Sequence, residues 1–238
     1  MYQQGSGYSA DIIMCIDSTG SMTPCLNTVK QQAKTFYADF VAAMEESGRK
    51  IEKLRIKVID FRDYGDSHAP AMTESRFFEF GEDVNESAEF SAYVDGIQPL
   101  YGGDIPENAL ESIALAMKSD WTTEGTKRRH IIVVFTDAPA LKFSDRAGVA
   151  GYPTGMPKDL TELQEWWEGA SQDFDSTYEL DAGRLVIFAP DAEPWTEFQT
   201  WERTWYATTA PGEGMKEVDM DMIMQLLVKS FGKTEKSN

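Results

Sequence analysis

Residues 10–22 of the chain read ADIIMCIDSTGSM, and the rest of the predicted sheet is arranged around them. The apolar run at residues 12–16 has the length and composition of a fully buried strand. It ends at Asp17, and Thr19 and Ser21 follow at alternate positions. In a parallel α/β sheet, ligands bind at the carboxyl ends of the strands. Because all three side chains offer hard oxygens, which suit Mg²⁺, the stretch predicts a metal site.

Apolar strands alternate with amphipathic helices along the rest of the chain. Further strands are predicted at residues 54–61, 76–80, 131–135, 185–189 and 205–208. Helices are predicted at residues 26–47, 87–97, 107–118, 159–173, 195–201 and 218–231, and a long Gly- and Pro-rich loop at residues 142–157. This alternation indicates an α/β, doubly wound fold. We expect a mainly parallel six-stranded sheet in the order 3-2-1-4-5-6, with residues 76–80 as one short antiparallel edge strand and helices on both faces.

Composition predicts one globular domain with little affinity for polyanions. The chain has 238 residues, and 22 Lys and Arg against 40 Asp and Glu give a net charge of −18. This charge argues against a nucleic-acid backbone or an anionic membrane as the partner. The N-terminus has no signal-peptide pattern, and the two cysteines suit a reduced compartment. We therefore expect a cytoplasmic, single-domain protein over residues 1–238, with its core at about residues 9–231.

Two more carboxylates lie in loops of this predicted architecture. Asp137 stands directly after the strand at residues 131–135, in the sequence VFTDAP. Asp104 lies in YGGDIPE, just before a predicted helix. In the predicted strand order these loops neighbour the one that begins at Asp17, at the point where the order reverses. Together with Thr19 and Ser21 they supply three carboxylates and two hydroxyls, most of an octahedron around Mg²⁺.

At these residues the chain resembles the von Willebrand factor type A family. The metal-ion-dependent adhesion site (MIDAS) of that family reads D-x-S-x-S after the first strand, then Thr in a second loop, then Asp after the fourth strand. Asp17, Thr19 and Ser21 match the first part, and Asp137 matches the last. Asp104 departs from the pattern, because it stands where the family usually has Thr. The GGD-x-PE turn is similar to a branch found beside atypical protein kinases and in intracellular bacterial proteins.

The resemblance implies a protein-binding module and no enzyme. A divalent cation, Mg²⁺ or else Mn²⁺ or Ca²⁺, would hold an Asp or Glu of a partner protein in its open coordination position. Family habit implies that Thr19 or Ser21 binds the cation directly and that Asp17 and Asp137 act through water. Analogy with the branch suggests a kinase, a phosphatase or a stress-response protein as the partner.

The alternative is enzymatic. Residues 17–21, DSTGS, also resemble the D-K-T-G-T signature of haloacid-dehalogenase-type phosphotransferases, in which Asp17 would be the nucleophile. That chemistry needs a lysine and a second acidic pair, whereas position 18 is Ser and Asp137 is followed by Ala-Pro. A dinucleotide site lacks its glycine pattern, and the two histidines, His68 and His130, accompany no nucleophile motif.

Two groups of residues each leave two interpretations open. The first follows the second strand and either orients the metal ligands or forms a charged turn; it consists of Arg62, Asp63 and Asp66. The second is a set of tryptophans that either pack in the core or anchor a partner; it consists of Trp166, Trp167, Trp195, Trp201 and Trp205.

Overall fold

The computed structural model of the protein describes residues 7–65, 70–100 and 106–232. Its strands are β1 (Tyr8–Asp17), β2 (Ile51–Phe61), β3 (Met72–Glu74), β4 (Phe78–Phe80), β5 (Arg128–Phe135), β6 (Gly183–Pro190) and β7 (Thr204–Thr209). Its helices are α1 (Thr23–Gln32), α2 (Phe36–Glu46), α3 (Ser87–Gly96), α4 (Ala109–Met117), α5 (Phe143–Arg146), α6 (Leu160–Glu168), α7 (Trp195–Phe198) and α8 (Met220–Ser230). None of these helices is long and apolar enough to cross a bilayer.

The strands form one sheet with β1 near its centre. Its order is β3-β2-β1-β5-β6-β7, and β4 also pairs with β2. Ile12 of β1 pairs in parallel with Ile56 of β2 on one side and with Ile131 of β5 on the other. All of β1 after its first residue is buried, as expected of a strand covered on both faces. The predicted order and the mainly parallel direction are confirmed.

The antiparallel edge contains two short strands, where the sequence predicted one. β4 falls within the predicted residues 76–80 and pairs with the first half of β2. β3 was not predicted, and it pairs with the last residues of β2, where Asp60 faces Thr73. β2 has 11 residues, so its outer edge accommodates two strands of 3 residues each. A strand this short carries no periodic signal in the sequence.

Helices cover both faces of the sheet, as predicted. Ile12, Met14 and Ile16 of β1 point into one apolar core, which α1, α2, α3 and α8 cover. Ile13 and Cys15 point into the other core, beneath α4, α6 and α7. This alternation is the period of two that a strand imposes on its side chains. The fold is therefore doubly wound.

The helix predicted over residues 26–47 is two helices. α1 ends at Gln32, and α2 begins at Phe36 after a short turn. The Thr35 amide and hydroxyl both donate to the Gln32 carbonyl, which competes with the helical ladder. Ala33 and Phe36 are both buried, so the apolar stripe continues across the break and its periodicity does not reveal the turn.

The predicted loop at residues 142–157 is mostly irregular, but it contains the short helix α5, anchored by the buried Phe143. The other predicted helices are confirmed with shorter ends, and Asp159 caps α6 by accepting a hydrogen bond from the Glu162 amide. The tryptophans of the last third pack in the core. The buried members are Trp166, Trp167, Trp195 and Trp201, and Trp205 is half-buried.

Candidate metal centre

The site begins where β1 ends. Asp17 is fully buried, and its Oδ1 accepts hydrogen bonds from the Thr19 amide (2.9 Å) and the Thr19 hydroxyl (2.6 Å). A carboxylate that bonds the backbone two residues further on forms an Asx turn, which carries the chain out of the strand. The 3-10 turn Gly20–Met22 follows and leads into α1. The local sequence thus folds back at the carboxyl edge of the sheet.

Asp137 reaches the same place from the neighbouring strand. β5 pairs with β1 up to Phe135, so the residues after both strands emerge side by side. The Ser21 hydroxyl donates to Asp137 Oδ1 over 3.0 Å and lies 3.3 Å from the Thr19 hydroxyl. The Thr136 hydroxyl donates to Asp17 Oδ2 over 2.8 Å.

Four of the five predicted ligands therefore lie in one hydrogen-bonded network: Asp17, Thr19, Ser21 and Asp137. Asp104 lies outside the described residues, as do Asp66 and His68. Ser21 is exposed while the two carboxylates are buried, so the network is open to solvent on the serine side. Within the described ranges no group of three or more Asp, Glu, His or Cys side chains is placed to hold a metal ion. The donor group at this site instead consists of the carboxylates of Asp17 and Asp137 and the hydroxyls of Thr19 and Ser21. Metal ligation by these residues remains a prediction.

Burial raises the pKa of Asp17 to about 6. The hydrogen bonds from Thr19 and Thr136 favour the charged form and counteract part of this effect, whereas the nearby charge of Asp137 adds to it. The ionised pair is therefore costly to hold in the protein alone. A bound cation would remove that cost.

Other buried aspartates of the described chain have an arginine partner. These ion pairs are Asp11 with Arg55, Asp60 with Arg62, and Asp63 with Arg146. Asp17 and Asp137 are as deeply buried, yet within the described ranges no Lys, Arg or His forms an ion pair with either of them. Buried charges in proteins are paired or bind metals. The donor set of two carboxylates and two hydroxyls fits a hard divalent cation.

Arg62 supports the loop that carries these ligands. Its side chain is buried, and its guanidinium donates to the main-chain oxygens of Ser18 and Gln98 over 3.2 and 2.8 Å. The Ser18 hydroxyl in turn lies 3.3 Å from Asp60 Oδ2. Arg62 thus orients the backbone beside the ligands, which agrees with the first interpretation of this group. Asp63 instead pairs with Arg146, and Gly65 completes a charged turn.

The loop between β7 and α8 also contacts the site, which the sequence did not predict. The Gly212 amide donates to the Asp137 carbonyl over 2.9 Å, and the Gly214 amide donates to Asp137 Oδ2 over 2.7 Å. The signal available in the sequence was PGEG at residues 211–214, two glycines directly after the last strand. This pattern indicates a tight turn and contains nothing that points to Asp137.

The profile of the von Willebrand factor type A domain matches residues 12–139, more than half of the chain and all four of the clustered residues. The chain belongs to the von Willebrand factor type A family. Solved structures of other proteins have a similar fold. One is the pilus adhesin SpaC from Lactobacillus rhamnosus GG, with 10% sequence identity and a TM-score of 0.52 over 96% of this chain and 31% of the adhesin.

Another similar structure is proximal thread matrix protein 1 from the mussel byssus with a zinc-occupied MIDAS motif. It has 15% identity and a TM-score of 0.48, over 94% of this type A chain and 46% of the mussel protein. The chain thus spans less than half the length of either structure. A comparison with curated protein sequences finds no match.

Proposed function

We propose that this type A domain is a divalent-cation-dependent protein-binding module. The observation that carries the proposal is the buried pair Asp17 and Asp137, which share a hydroxyl network and have no cationic partner within the described ranges. Thr19 and Ser21 supply neutral oxygens to the same group, and Asp104 is the proposed fifth ligand. The cation would compensate the two buried charges and keep one position for a further oxygen ligand.

The partner in this proposal is a protein that presents an Asp or Glu side chain to the cation. With a net charge of −18 the domain repels acidic surfaces, so an acidic partner needs the bound cation for attraction. Mg²⁺ is the proposed ion, with Mn²⁺ or Ca²⁺ as alternatives, because all prefer oxygen ligands. We place the protein in the cytoplasm, in the intracellular bacterial and kinase-associated branch, with a kinase, a phosphatase or a stress-response protein as the partner.

The geometry at Asp17 supports binding over phosphotransfer. Both of its oxygens accept hydrogen bonds, and the side chain is fully buried beneath Thr19 and Thr136. A nucleophilic carboxylate needs an oxygen that reaches the substrate, and the transferring phosphoryl group needs a cationic side chain beside it. Neither is found around Asp17 in the described part of the chain.

Calorimetric titration with Mg²⁺ tests the proposal. We expect the wild type to bind one ion and Ser21→Ala to bind it at least about tenfold more weakly, a loss of about 1.4 kcal/mol. The matched control is Ser47→Ala, because Ser47 bonds the Met44 carbonyl at the end of α2 and does not touch the network. Unchanged Mg²⁺ affinity in Ser21→Ala would reject the assignment. Phosphatase turnover that disappears in Asp17→Asn would favour the enzymatic alternative.

A further inference from the structure

Asp137 accepts three hydrogen bonds, two from the loop between β7 and α8 and one from Ser21. The Gly214 amide donates to Oδ2 over 2.7 Å, and the Ser21 hydroxyl donates to Oδ1 over 3.0 Å. The main-chain oxygen of Asp137 accepts from the Gly212 amide over 2.9 Å. Each oxygen of this residue therefore has a fixed donor, and the two carboxylate oxygens have different ones.

Gly214 is the member of this set that tolerates no side chain. Its φ is +67°, in the left-handed region that favours glycine. A Cβ at this position would lie 2.7 Å from Pro24 Cδ and closer still to the Ser21 carbonyl oxygen. Gly214 thus packs directly against the backbone of one candidate ligand while its amide holds another.

Gly212 provides an internal comparison. Its φ is also +67°, but a Cβ there would meet no atom within 4 Å. An alanine at either position has the same unfavourable backbone conformation. Only the alanine at position 214 would also push against the ligand loop.

We propose that Gly214 is a positioning residue that orients the Asp137 carboxylate for cation binding. The inference rests on the proposed function of the site. Because the amide holds Oδ2, the carboxylate does not rotate freely, and Oδ1 stays on the side of Ser21 and the other donors. An N–H donor also stabilises the carboxylate without adding a cationic side chain that would compete with the metal. A substituent at position 214 would displace Ser21 and Asp137 together.

Alanine at the two positions separates this role from backbone strain. We expect Gly214→Ala to bind Mg²⁺ at least about tenfold more weakly than Gly212→Ala in calorimetric titration. Gly48→Ala, after α2, gives the reference for backbone strain alone, because φ is +73° there and an added Cβ would meet no atom within 4 Å. Thermal unfolding gives a second readout. The difference in melting temperature between excess Mg²⁺ and EDTA should persist in Gly212→Ala and disappear in Gly214→Ala. A merely structural role would lower both temperatures equally and leave that difference intact.

The outcomes distinguish the inference from the proposed function. If the wild type binds no Mg²⁺, the proposed function fails. If the wild type binds Mg²⁺ and the two alanine variants bind it equally well, Gly214 has no positioning role. Should Gly214→Ala not fold, the wild-type amide resonances provide the test. Saturation with Mg²⁺ should shift the Gly214 amide more than that of Gly48, which precedes β2 at the opposite, amino end of the sheet, and an unmoved Gly214 resonance would overturn the inference.

Discussion

Asp11 and Asp17 lie in the same strand, both fully buried, at opposite ends of the sheet. Asp11, near the amino end of β1, accepts two hydrogen bonds from Arg55, over 2.8 and 2.6 Å, and a third from the Thr122 amide. Asp17, at the carboxyl end, accepts hydrogen bonds from the Thr19 amide and from neutral hydroxyls. The chain supplies the countercharge for Asp11 and supplies none for Asp17 within the described ranges. A buried carboxylate left in this way is suited to an external cation.

Two arginines at the amino end, the buried Arg184 and the half-buried Arg129, also donate to oxygens inside the protein. Arg184 donates to the Ser230 carbonyl over 2.9 Å, and Arg129 donates to the Phe231 carbonyl over 3.1 Å. These oxygens lie at the carboxyl end of α8, where Phe231 is the C-cap, and this is the negative end of the helix dipole. Burial lowers the pKa of Arg184 to about 10, and the neighbouring Arg129 contributes to this shift. The amino end therefore holds Asp11 with an arginine and these two arginines with main-chain oxygens, which gives a reference against which to test the carboxyl end.

The largest expected effect on stability comes from Asp11, the buried aspartate that is paired with Arg55. Asp11→Asn removes the countercharge of Arg55, whose side chain is only 13% exposed. Breaking one partner of a buried ion pair costs about 3 kcal/mol or more. We expect urea denaturation to show a loss of this size, equal in EDTA and in excess Mg²⁺. A loss that Mg²⁺ reverses would mean that the two ends of β1 are coupled.

Asp17→Asn is the matched change at the other end. Burial raises the pKa of Asp17 to about 6, so the charge that this carboxyl carries at pH 7.5 destabilises the folded protein relative to the unfolded chain, and its removal relieves that cost. In EDTA we expect the variant to be as stable as the wild type or more stable by about 1 kcal/mol. At a Mg²⁺ concentration a hundredfold above the Kd, the free energy of unfolding of the wild type should rise by about 2.7 kcal/mol, and that of the variant should not change.

The two aspartates must differ in EDTA for the comparison to hold. If Asp17→Asn loses as much stability in EDTA as Asp11→Asn does, Asp17 is a structural residue with a partner in the chain. If it keeps its EDTA stability and still gains from Mg²⁺, the cation binds elsewhere.

His130 tests the amino end through pH. It is fully buried, stacks on Trp121, accepts a hydrogen bond from the Glu179 amide through Nδ1 and lies 3.0 Å from the Thr122 carbonyl through Nε2. Burial lowers its pKa below the ordinary value of 6.5. The folded protein therefore binds this proton more weakly than the unfolded chain does, and stability falls as the pH drops below 6.5.

We expect this difference in pKa between the folded and unfolded states to lower the free energy of unfolding by up to about 2 kcal/mol at pH 5. His130→Gln should flatten the dependence of unfolding free energy on pH between 7 and 5, whatever it costs at pH 7. Measuring both proteins in EDTA keeps the carboxyl end out of the comparison, and the difference between the two pH profiles isolates His130. Parallel profiles would show that the folded protein binds the His130 proton as tightly as the unfolded chain does, and so that burial does not lower its pKa.

Local sequence was sufficient for much of this architecture. β1 and the turn at Asp17 could be predicted because an apolar run followed by DSTGS contains both the strand and its end, and Asp137 follows from the same pattern after β5. The contact between Gly214 and Asp137 joins residues 77 positions apart, so no local pattern contains it. The arginine partners of Asp11 and Asp63 lie 44 and 83 positions away, so no local pattern contains them either. For that reason the sequence shows which carboxylates exist, and only the fold shows which of them lack a partner.

The smallest expected effect sharpens the assignment of Thr19. Its hydroxyl donates to Asp17 Oδ1 over 2.6 Å, and the family pattern has Ser at this position. Thr19→Ser keeps the hydroxyl and removes one methyl, so we expect Mg²⁺ affinity within about threefold of the wild type, below about 0.7 kcal/mol. Thr19→Val keeps the shape and removes the hydroxyl, so it should weaken Mg²⁺ at least about tenfold. Calorimetry on the pair decides whether the oxygen or the methyl matters. Equal losses in both variants would assign Thr19 to packing, and the donor group would then be reduced to Asp17, Ser21 and Asp137.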